Sequence, residues 1–517
     1  MTLLEVAGLE VAFGRDEPVV RDVSFSIGDG ECLALVGESG SGKSVTARAL
    51  LGLAGERARV RATTLRVGGK DVAGFAEKDW QRLRGRDIGM VLQDALVSLD
   101  PLRRIEDEVA EALTLHEKTA PAEVRRRVLE VLGEVGIPDP ATRARQYPHQ
   151  LSGGLRQRAL IASALVAEPG LMIADEPTTA LDVLVQHQIL DLLGKIKEQG
   201  RGLLLISHDL AVVARLADRI AVMRHGQIVE IGPTQRILDH PEHPYTRLLL
   251  DIARGQRNER PVQAGGDTVL EVENVTKSYG DRRAVDGVSL TLRAGETLGL
   301  AGESGSGKST LTRLVLALSE PDSGRVRLAG EEWSTVPERA RRSRRRRIQL
   351  IQQDPHAAFD PRHTVGRIIA EGVVGRRRRR GRVAELMDLV GLDPALVGRR
   401  PHQLSGGQRQ RVAIARALAP EPEVLACDES VSALDVSVQA QVLDLLTHLQ
   451  QKLGVALLFI THDLTVVEQI CDRLLVMKDG RIVEEGPTKA VFEAPRHPYT
   501  KALLEAVPRL PSPPSAG

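Results

Sequence analysis

One eight-residue sequence occurs twice in this chain of 517 residues and strongly limits how the chain can fold. Gly-Glu-Ser-Gly-Ser-Gly-Lys-Ser stands at 37–44 and again at 302–309. The pattern G-x-x-x-x-G-K-[ST] forms a loop whose backbone N–H groups surround phosphate oxygens. Apolar segments at 31–36 and 296–301 precede the loops, so we predict a buried strand before each loop and a helix after it. A ligand-free glycine turn is the alternative, and two identical copies with matching flanks argue against it.

Each loop contains the residue types that hold a nucleotide triphosphate and its magnesium ion. Lys43 and Lys308 would reach the β- and γ-phosphates, while Ser44 and Ser309 would offer a hydroxyl to Mg²⁺. Glycine is needed where a side chain would block the phosphate or forbid the backbone angles. The predicted phosphate-binding residues are Gly37, Glu38, Ser39, Gly40, Ser41, Gly42, Lys43 and Ser44, and then Gly302, Glu303, Ser304, Gly305, Ser306, Gly307, Lys308, Ser309 and Thr310.

The whole chain is one unit written twice. Both halves continue after the loop with a glutamine, Leu-Ser-Gly-Gly, Asp-Glu, His-Asp and His-Pro-Tyr-Thr, in that order. We therefore predict two domains, at 1–254 and 268–517, joined by a short polar linker at 255–267.

Apolar segments alternate with helical segments inside each copy, which indicates an α/β fold with a mainly parallel sheet covered on both faces. A β-rich stretch precedes each phosphate loop, and a helical insert follows it. The predicted β-rich stretches, helical inserts and later strands are 3–25, 107–147, 171–174 and 203–206 in the first copy, and 269–292, 365–400, 424–427 and 456–460 in the second.

Two carboxylates end the same predicted strand in each copy. They are Asp175 and Glu176 in the first copy, and Asp428 and Glu429 in the second. The carboxyl ends of parallel strands share one edge of a sheet, so these side chains should lie beside the phosphate loop. We predict that the aspartates belong to the Mg²⁺ shell and that the glutamates orient the attacking water.

A histidine and a glutamine complete the predicted catalytic set. His208 and His462 end the next strand, and Gln93 and Gln353 each follow another apolar segment. The histidines could reach a γ-phosphate, and the glutamines could ligate Mg²⁺ or position water. A histidine after a strand is more often structural, but this position is filled twice in register with the phosphate loop.

Composition excludes several classes of protein. The net charge is +1 and aromatic residues make up 2%, which argues against a nucleic-acid-binding protein built on charge or base stacking. Cys32, Cys427 and Cys471 are far apart and are predicted to be reduced core residues. With no run of about eighteen apolar residues and no signal-peptide pattern, we expect the chain to stay in the cytoplasm without spanning a membrane.

Leu-Ser-Gly-Gly followed closely by Arg-Gln-Arg, at 151–158 and 404–411, resembles the signature sequence of ATP-binding-cassette (ABC) ATPases. The resemblance covers nearly the whole chain. It implies ATP hydrolysis with ATP and Mg²⁺ as cofactors, and a RecA-like P-loop core with an antiparallel β-subdomain and a helical subdomain in each copy. It also implies that two cassettes clamp two ATP molecules head to tail, so that hydrolysis waits for closure.

Carried over to this sequence, the resemblance implies two composite sites. The first combines Phe13, the loop at 37–44, Gln93, Asp175, Glu176 and His208 with Ser405, Gly406, Gly407 and Gln408. The second combines Tyr279, the loop at 302–309, Gln353, Asp428, Glu429 and His462 with Ser152, Gly153, Gly154 and Leu155. Ser44, Gln93, Asp175, Ser309, Gln353 and Asp428 would form the metal shells, Phe13 and Tyr279 would stack on adenine, and Asp182 and Asp435 would cross between the sites.

Two positions depart from the family pattern. Leu155 replaces the usual glutamine, and Ser430 replaces the proline that usually follows the second Asp-Glu. Neither change removes a catalytic group, so we expect both sites to hydrolyse ATP.

The tail of each copy resembles the C-terminal extension of oligopeptide, dipeptide and nickel importers, at 241–246 and 495–500. This implies two transmembrane permease subunits, an extracytoplasmic substrate-binding protein, and a place on the cytoplasmic face of the membrane. Permease helices would dock on 93–101, on 353–361 and on the helical inserts. None of the three cysteines lies in the segment directly after either tail, so we expect no iron–sulfur cluster. The tails are predicted to be a capping hairpin and helix.

Two other classes carry similar cassettes. A twin-cassette translation factor acting on ribosomes usually has a long charged helical linker, whereas the linker predicted here is short and polar. A DNA-repair cassette needs zinc-binding cysteine pairs, and this sequence has three isolated cysteines. The importer is therefore favoured, without nucleic acid as a partner.

Two arginine runs stand out in the second copy. Arg344–Arg347 are predicted to form a solvated face. Arg376–Arg380 with Arg382 repel one another and are predicted to form an exposed loop or frayed helix start before a helix from about Val383. This second run could touch an anionic membrane surface, with a solvated loop as the alternative.

Overall fold

The computed structural model describes residues 2–14, 16–93, 95–116, 119–179, 181–254, 266–355, 357–375, 379–431 and 434–510. These residues form two compact units, and the bulk of each unit corresponds to one copy of the repeat. Nearly all of the predicted linker and the residues Arg376–Arg378 lie outside the described residues.

The first copy contains a parallel sheet, a separate antiparallel sheet and a group of helices. Its strands are β1 (Thr2–Phe13), β2 (Val20–Gly28), β3 (Cys32–Val36), β4 (Ala58–Arg61), β5 (Thr64–Val67), β6 (Lys70–Asp71), β7 (Ile88–Val91), β8 (Leu171–Asp175), β9 (Gly202–Ser207), β10 (Arg219–Arg224) and β11 (Gln227–Pro233). Its helices are α1 (Lys43–Ala49), α2 (Glu77–Leu83), α3 (Ala95–Ser98), α4 (Ile105–His116), α5 (Pro121–Glu134), α6 (Pro140–Ala144), α7 (Gly153–Leu165), α8 (Val183–Glu198), α9 (Leu210–Leu216), α10 (Thr234–Asp239) and α11 (Pro244–Arg254).

The second copy repeats this arrangement. Its strands are β12 (Thr268–Tyr279), β13 (Arg282–Arg293), β14 (Thr297–Ala301), β15 (Ser323–Leu328), β16 (Glu331–Glu332), β17 (Ile348–Ile351), β18 (Val424–Asp428), β19 (Ala456–Ile460), β20 (Arg473–Lys478) and β21 (Arg481–Pro487). Its helices are α12 (Lys308–Val315), α13 (Glu338–Arg341), α14 (Val365–Gly372), α15 (Arg379–Leu389), α16 (Gly406–Leu418), α17 (Val436–Leu453), α18 (Leu464–Ile470), α19 (Thr488–Glu493) and α20 (Pro498–Ala506).

The central sheet of the first copy has the strand order β11-β10-β3-β9-β8-β7, and that of the second has β17-β18-β19-β14-β20-β21. Every pair in both sheets is parallel except the hairpins β10–β11 and β20–β21. Strands β3 and β9 are buried along their whole length, because helices cover a parallel sheet on both faces. The predicted parallel α/β core is confirmed.

A smaller antiparallel sheet lies in each copy beside the central one. Its order is β2-β1-β5-β6 with β4 on β1 in the first copy, and β13-β12-β15-β16 in the second. Alternate residues of β1 are buried, as expected for a sheet with one face on the core. The predicted antiparallel β-subdomain is therefore present in both copies.

Strand order places the predicted catalytic segments next to one another. In the first copy β9 lies between β3 and β8, with Val36 opposite Ser207 and Asp175 opposite Ile206. The phosphate loop follows β3, the Asp-Glu pair ends β8, and the histidine follows β9. All three segments therefore leave the same edge of the sheet.

Most predicted element bounds agree with the structure to within a few residues. Cys32, Cys427 and Cys471 are buried and form no disulfide, as predicted. One bound was wrong: the helix expected from about Val383 begins at Arg379. Among the described residues, no helix combines the length and apolar character that crossing a membrane requires.

The prediction of a solvated face at Arg344–Arg347 was wrong for three of these four described residues. Arg346 is exposed, but the other three are half-buried. Arg344 and Arg345 lie over the ring of the fully buried Trp333, at 5.8 and 5.7 Å from its centroid. Acidic residues supply their partners: Arg347 Nε donates to Glu423 Oε1 at 2.7 Å. Arginine stems cover apolar surface while their heads stay paired, which the run of like charges alone did not indicate.

Candidate active sites

The first glycine of each phosphate loop, Gly37 or Gly302, lies where there is no room for a side chain. Gly37 and Gly302 have φ angles of 150° and 153°. A Cβ at Gly37 would lie 2.1 Å from the carbonyl oxygen of Met223, and one at Gly302 would lie 2.2 Å from that of Met477. The loop thus packs against the end of the neighbouring strand without room for a side chain.

The loop lysine folds back over the loop in each copy. Lys43 Nζ donates to the carbonyl oxygens of Gly37 and Glu38 at 2.7 and 2.8 Å. Lys308 Nζ donates to the carbonyls of Gly302 and Glu303, both at 2.7 Å. Both lysines are only 5% exposed, and burial lowers the pKa of Lys308. Each ammonium is thereby held at the centre of its loop, where phosphate oxygens would satisfy it.

A hydroxyl and a carboxylate meet beside the first loop. Ser44 Oγ donates to Asp175 Oδ1 at 3.0 Å. Burial is the main reason that the pKa values of Asp175 and Asp428 are raised, and the adjacent glutamates add to the effect. A buried carboxylate next to a serine oxygen fits Mg²⁺, which takes one or two carboxylates together with substrate phosphates.

The glutamate after the aspartate is held by the predicted histidine and glutamine. Gln93 Nε2 donates to Glu176 Oε2 at 2.9 Å, and His208 Nδ1 lies 3.3 Å from Glu176 Oε1. In the second copy, Gln353 Nε2 donates to Glu429 Oε2 at 2.7 Å. His462 Nδ1 lies 3.1 Å from Glu429 Oε1. The structure therefore brings these three predicted residue types together twice.

Charge pairing sets the protonation of this cluster. Burial alone would lower the pKa of His208 and His462, but the hydrogen bond and charge of the neighbouring glutamate outweigh it and raise both values. Glu429 has a lowered pKa, mainly because of its hydrogen bond with His462. The pairing therefore favours the carboxylate form of the glutamate and the imidazolium form of the histidine.

The backbone of the two glutamates lies in the left-handed region, with φ of 48° at Glu176 and 46° at Glu429. Residues other than glycine rarely adopt such angles, and they do so mostly where the surrounding structure enforces them. Here the peptide N–H groups donate to Ile206 and Ile460 carbonyls at 2.9 Å, which fixes the turn. Each carboxylate is close enough to the lysine of its phosphate loop for that positive charge to contribute to lowering its pKa.

The signature serines cap the helices that follow them. Ser152 Oγ accepts from the Leu155 N–H at 3.4 Å, and Ser405 Oγ accepts from the Gln408 N–H at 3.2 Å. Gln408 Oε1 also accepts from the Ser405 N–H at 3.0 Å, which completes a capping box. Leu155 has no side-chain acceptor for this return bond. The leucine at position 155 therefore leaves the N-terminus of α7 with one capping hydrogen bond fewer than that of α16.

The predicted adenine-stacking rings lie at the ends of equivalent strands. Phe13 ends β1 and is half-buried, whereas Tyr279 ends β12 with 51% of its surface exposed. Both therefore lie at the tip of the antiparallel sheet.

Sequence reasoning missed Thr179 and the two tail tyrosines. Thr179 Oγ1 donates to Glu176 Oε2 at 3.0 Å, so a third side chain holds this carboxylate. The backbone N–H of Glu38 donates to Tyr245 Oη at 3.1 Å, and that of Glu303 donates to Tyr499 Oη at 3.0 Å. The sequence feature that could have pointed to the tyrosines is the His-Pro-Tyr-Thr motif, which occurs once after each phosphate loop.

Comparisons with known proteins agree with this geometry. Residues 20–179 and 285–432 match the ABC transporter family. Residues 229–276 and 483–515 match the family described as the oligopeptide/dipeptide transporter, C-terminal region. The twice-repeated cassette and the twice-repeated tail are both confirmed.

Curated relatives align along almost the entire chain. The peptidoglycan transport ATP-binding protein YejF of Agrobacterium fabrum is 46% identical over 525 residues, covering 98% of this chain and 96% of that protein. The glutathione import ATP-binding protein GsiA of Escherichia coli strain K12 is 42% identical over 557 residues, covering 98% and 89%. Among solved structures, cbiO1 of Clostridium perfringens is 31% identical, covers 44% of this chain and 92% of that one, and has a TM-score of 0.41.

The chain contains two phosphate loops and two clusters of glutamate, histidine and glutamine. It also aligns over 98% of its length, at 42–46% identity, with a transport and an import ATP-binding protein. The chain belongs to the ABC transporter family as a twin-cassette ATPase that powers import, with the oligopeptide/dipeptide transporter C-terminal region in both copies.

Proposed function

We propose that this ATPase works at the cytoplasmic face of the membrane with two permease subunits and an extracytoplasmic substrate-binding protein, and that the imported cargo is a small peptide. The match of residues 229–276 and 483–515 to the oligopeptide/dipeptide transporter C-terminal region supports the peptide importer. The duplicated cluster of Glu176 and Glu429 with their histidines and glutamines supports ATP hydrolysis in both copies. Because both copies keep every group of the cluster, both sites are competent to hydrolyse ATP.

Each residue of the cluster has a defined role in this proposal. Ser44 and Asp175 would hold Mg²⁺ in one site, and Ser309 and Asp428 would hold it in the other, where the ion would supply positive charge to the phosphates. Glu176 orients the attacking water, and His208 holds the carboxylate and reaches toward the γ-phosphate. Lys43 neutralises charge that develops on the phosphate oxygens.

The resemblance to ABC ATPases implies roles for the signature residues as well. Ser405, Gly406, Gly407 and Gln408 would complete the site of the first phosphate loop, and Ser152, Gly153 and Gly154 would complete that of the second. The N-terminus of a helix offers N–H groups and a positive dipole end to a γ-phosphate. Closure of the two cassettes would thus be required for turnover.

The names of the relatives support a peptide-containing cargo. One is described as transporting peptidoglycan and another as importing glutathione, and both molecules contain peptide-like chains. Cargo is selected by the permeases and the binding protein, which this chain does not contain. We therefore propose the class, small peptides including cell-wall peptides, and leave its members to experiment.

Reconstitution tests this function. The chain is assembled in liposomes with candidate permeases and a candidate binding protein from the same organism, and ATP hydrolysis is measured with cell-wall peptides, glutathione, unrelated dipeptides or nickel. Peptide stimulation that requires the binding protein is expected. Stimulation by ribosomes but by none of these solutes would replace the importer with the translation-factor alternative.

The arginine run at the start of α15 is proposed to lie near the anionic leaflet when the helical insert docks on a permease. Arg382 is already paired with Glu385 and Glu421, at 3.1 and 3.3 Å, so it contributes little free charge. Flotation with anionic and neutral liposomes at low and high salt compares the wild type with a variant carrying serine at 376–380. Equal flotation of both proteins would reject the membrane contact.

A further inference from the structure

The C-terminal tail of each copy reaches the phosphate loop of the same copy. The hydroxyl of Tyr245 accepts the backbone N–H of Glu38 at 3.1 Å, and that of Tyr499 accepts the N–H of Glu303 at 3.0 Å. Tyr245 is 3% exposed and Tyr499 is 6% exposed, so each side chain is buried and its hydroxyl contacts the phosphate loop from the interior of the protein.

Four successive contacts fix each tyrosine. In the first copy, both carboxylate oxygens of Glu230 on β11 accept backbone N–H groups, those of Glu242 and His243, at 2.9 and 3.1 Å. His243 Nδ1 then accepts the N–H of Tyr245 at 3.1 Å, at the start of α11. The guanidinium of Arg224 lies 4.7 Å from the centre of the tyrosine ring.

The second copy repeats the same four contacts. Glu484 accepts the N–H groups of Arg496 and His497 at 2.8 and 3.0 Å, and His497 Nδ1 accepts the N–H of Tyr499 at 3.1 Å. Lys478 takes the place of the first copy's arginine, 4.7 Å from the ring centre. The same set of contacts therefore holds the tail tyrosine in both copies.

The residue that the tyrosine holds also positions the loop lysine, and the carbonyl of the preceding glycine, in the same peptide group as the held N–H, accepts from that lysine as well. The carbonyl oxygen of Glu38 accepts from Lys43 Nζ at 2.8 Å and from the Ser41 N–H at 3.1 Å. In the second copy, the carbonyl of Glu303 accepts from Lys308 Nζ and from the Ser306 N–H. Movement of this residue would therefore move both the turn of the loop and its ammonium.

We propose that Tyr245 and Tyr499 are positioning residues for ATP binding, each acting on the phosphate loop of its own copy through the peptide of Glu38 or Glu303. Loss of the hydroxyl leaves a partly buried N–H without this acceptor and releases the first turn of the loop. The ring keeps its packing and its contact with the cation. The tail is then a structural support for nucleotide binding, independent of the cargo.

The test removes the hydroxyl and keeps the ring. Tyr245→Phe and Tyr499→Phe are made in the full chain, with Tyr147→Phe as the matched control, because Tyr147 lies in the helical insert with its ring stacked on His149. Two quantities are measured: amide hydrogen exchange of the peptides covering 37–44 and 302–309, and the Kd for a fluorescent ATP analogue.

Tyr245→Phe is expected to speed exchange at 37–44 and to leave 302–309 unchanged, and Tyr499→Phe is expected to do the reverse. Each should weaken nucleotide binding at its own site about 2- to 10-fold, the range set by one hydrogen bond. The control should change neither quantity.

Unchanged exchange and unchanged affinity in both tyrosine variants would overturn the proposal. Faster exchange spread equally over both loops and over α11 or α20 would also overturn it, since that pattern marks general destabilisation. The two variants report separately, so poor folding of one leaves the other as the deciding test.

Discussion

Glu429 and His462 show how single charges are arranged beside a phosphate loop. One carboxylate oxygen of Glu429 accepts from Gln353 and the other lies next to the imidazole. These two contacts fix the orientation of the carboxylate. We infer that the glutamine and the histidine hold it in the orientation from which it positions the attacking water.

The pair predicts a pH-dependent stability. The pKa of His462 is raised in the folded chain. Its ion pair with Glu429 therefore contributes its full stabilisation of the fold below the unfolded pKa of about 6.5. This stabilisation is lost as the pH rises through the folded pKa. The pKa of Glu429 is lowered, so the carboxylate stays ionised across this window. The difference in thermal midpoint between the wild type and His462→Gln should be largest near pH 6 and shrink toward pH 9.

The matched control is His448→Gln, because His448 is exposed on α17. Its effect on the thermal midpoint should be small at every pH. A difference for His462→Gln that grows with rising pH would show that the imidazole is held neutral.

At this scale the sequence predicted which side chains come together beside the phosphate loop, and for a physical reason. Lys43, Asp175, Glu176 and His208 each follow an apolar segment, and parallel strands carry their ends to one edge of the sheet. Tyr245 could not be assigned, because its contact with the loop depends on how a hairpin and two later helices pack. Sequence spacing carries no information about that packing.

The signature helices show at the scale of elements why small residues are needed. A Cβ at Gly407 would lie 2.6 Å from Val438 Cγ1, and one at Gly154 would lie 2.7 Å from Val185 Cγ1. Helix α16 therefore starts in contact with α17, as α7 does with α8. Glycine in these helices allows the close approach, at some cost in helix propensity.

Gly407→Ala is expected to destabilise the second copy by about 1–3 kcal/mol through overpacking. In a Val438→Ala background the clash is gone, and alanine should then stabilise the helix by up to about 1 kcal/mol. A double-mutant cycle of thermal unfolding measures this coupling. Additive effects of the two substitutions would contradict the contact.

Element boundaries were harder to predict than element types. Helix α15 begins at Arg379, inside a run of arginines that favours a loop by charge repulsion. Arg344 and Arg345 turn inward over Trp333 because its ring and nearby glutamates offer partners. In both cases tertiary contacts outweighed a local pattern of like charges.

For the whole molecule, docking to the permeases predicts a specific footprint. Val97 and Leu102 are exposed large apolar residues, at 81% and 84%, in and next to the segment 93–101. We expect 93–101 and 353–361 to become protected from hydrogen exchange when permeases bind. Protection confined to the tails at 241–246 and 495–500 would place the docking surface elsewhere.

Glu176 and Glu429 are proposed to orient the attacking water in the two hydrolytic sites. The most direct test is ATP turnover by the chain carrying both Glu176→Gln and Glu429→Gln, which keeps the shape of each side chain and removes its charge. The double variant should still bind ATP and accumulate in a closed form, while turnover falls below about a tenth of the wild-type rate. Turnover above that fraction would contradict the assignment of the two glutamates.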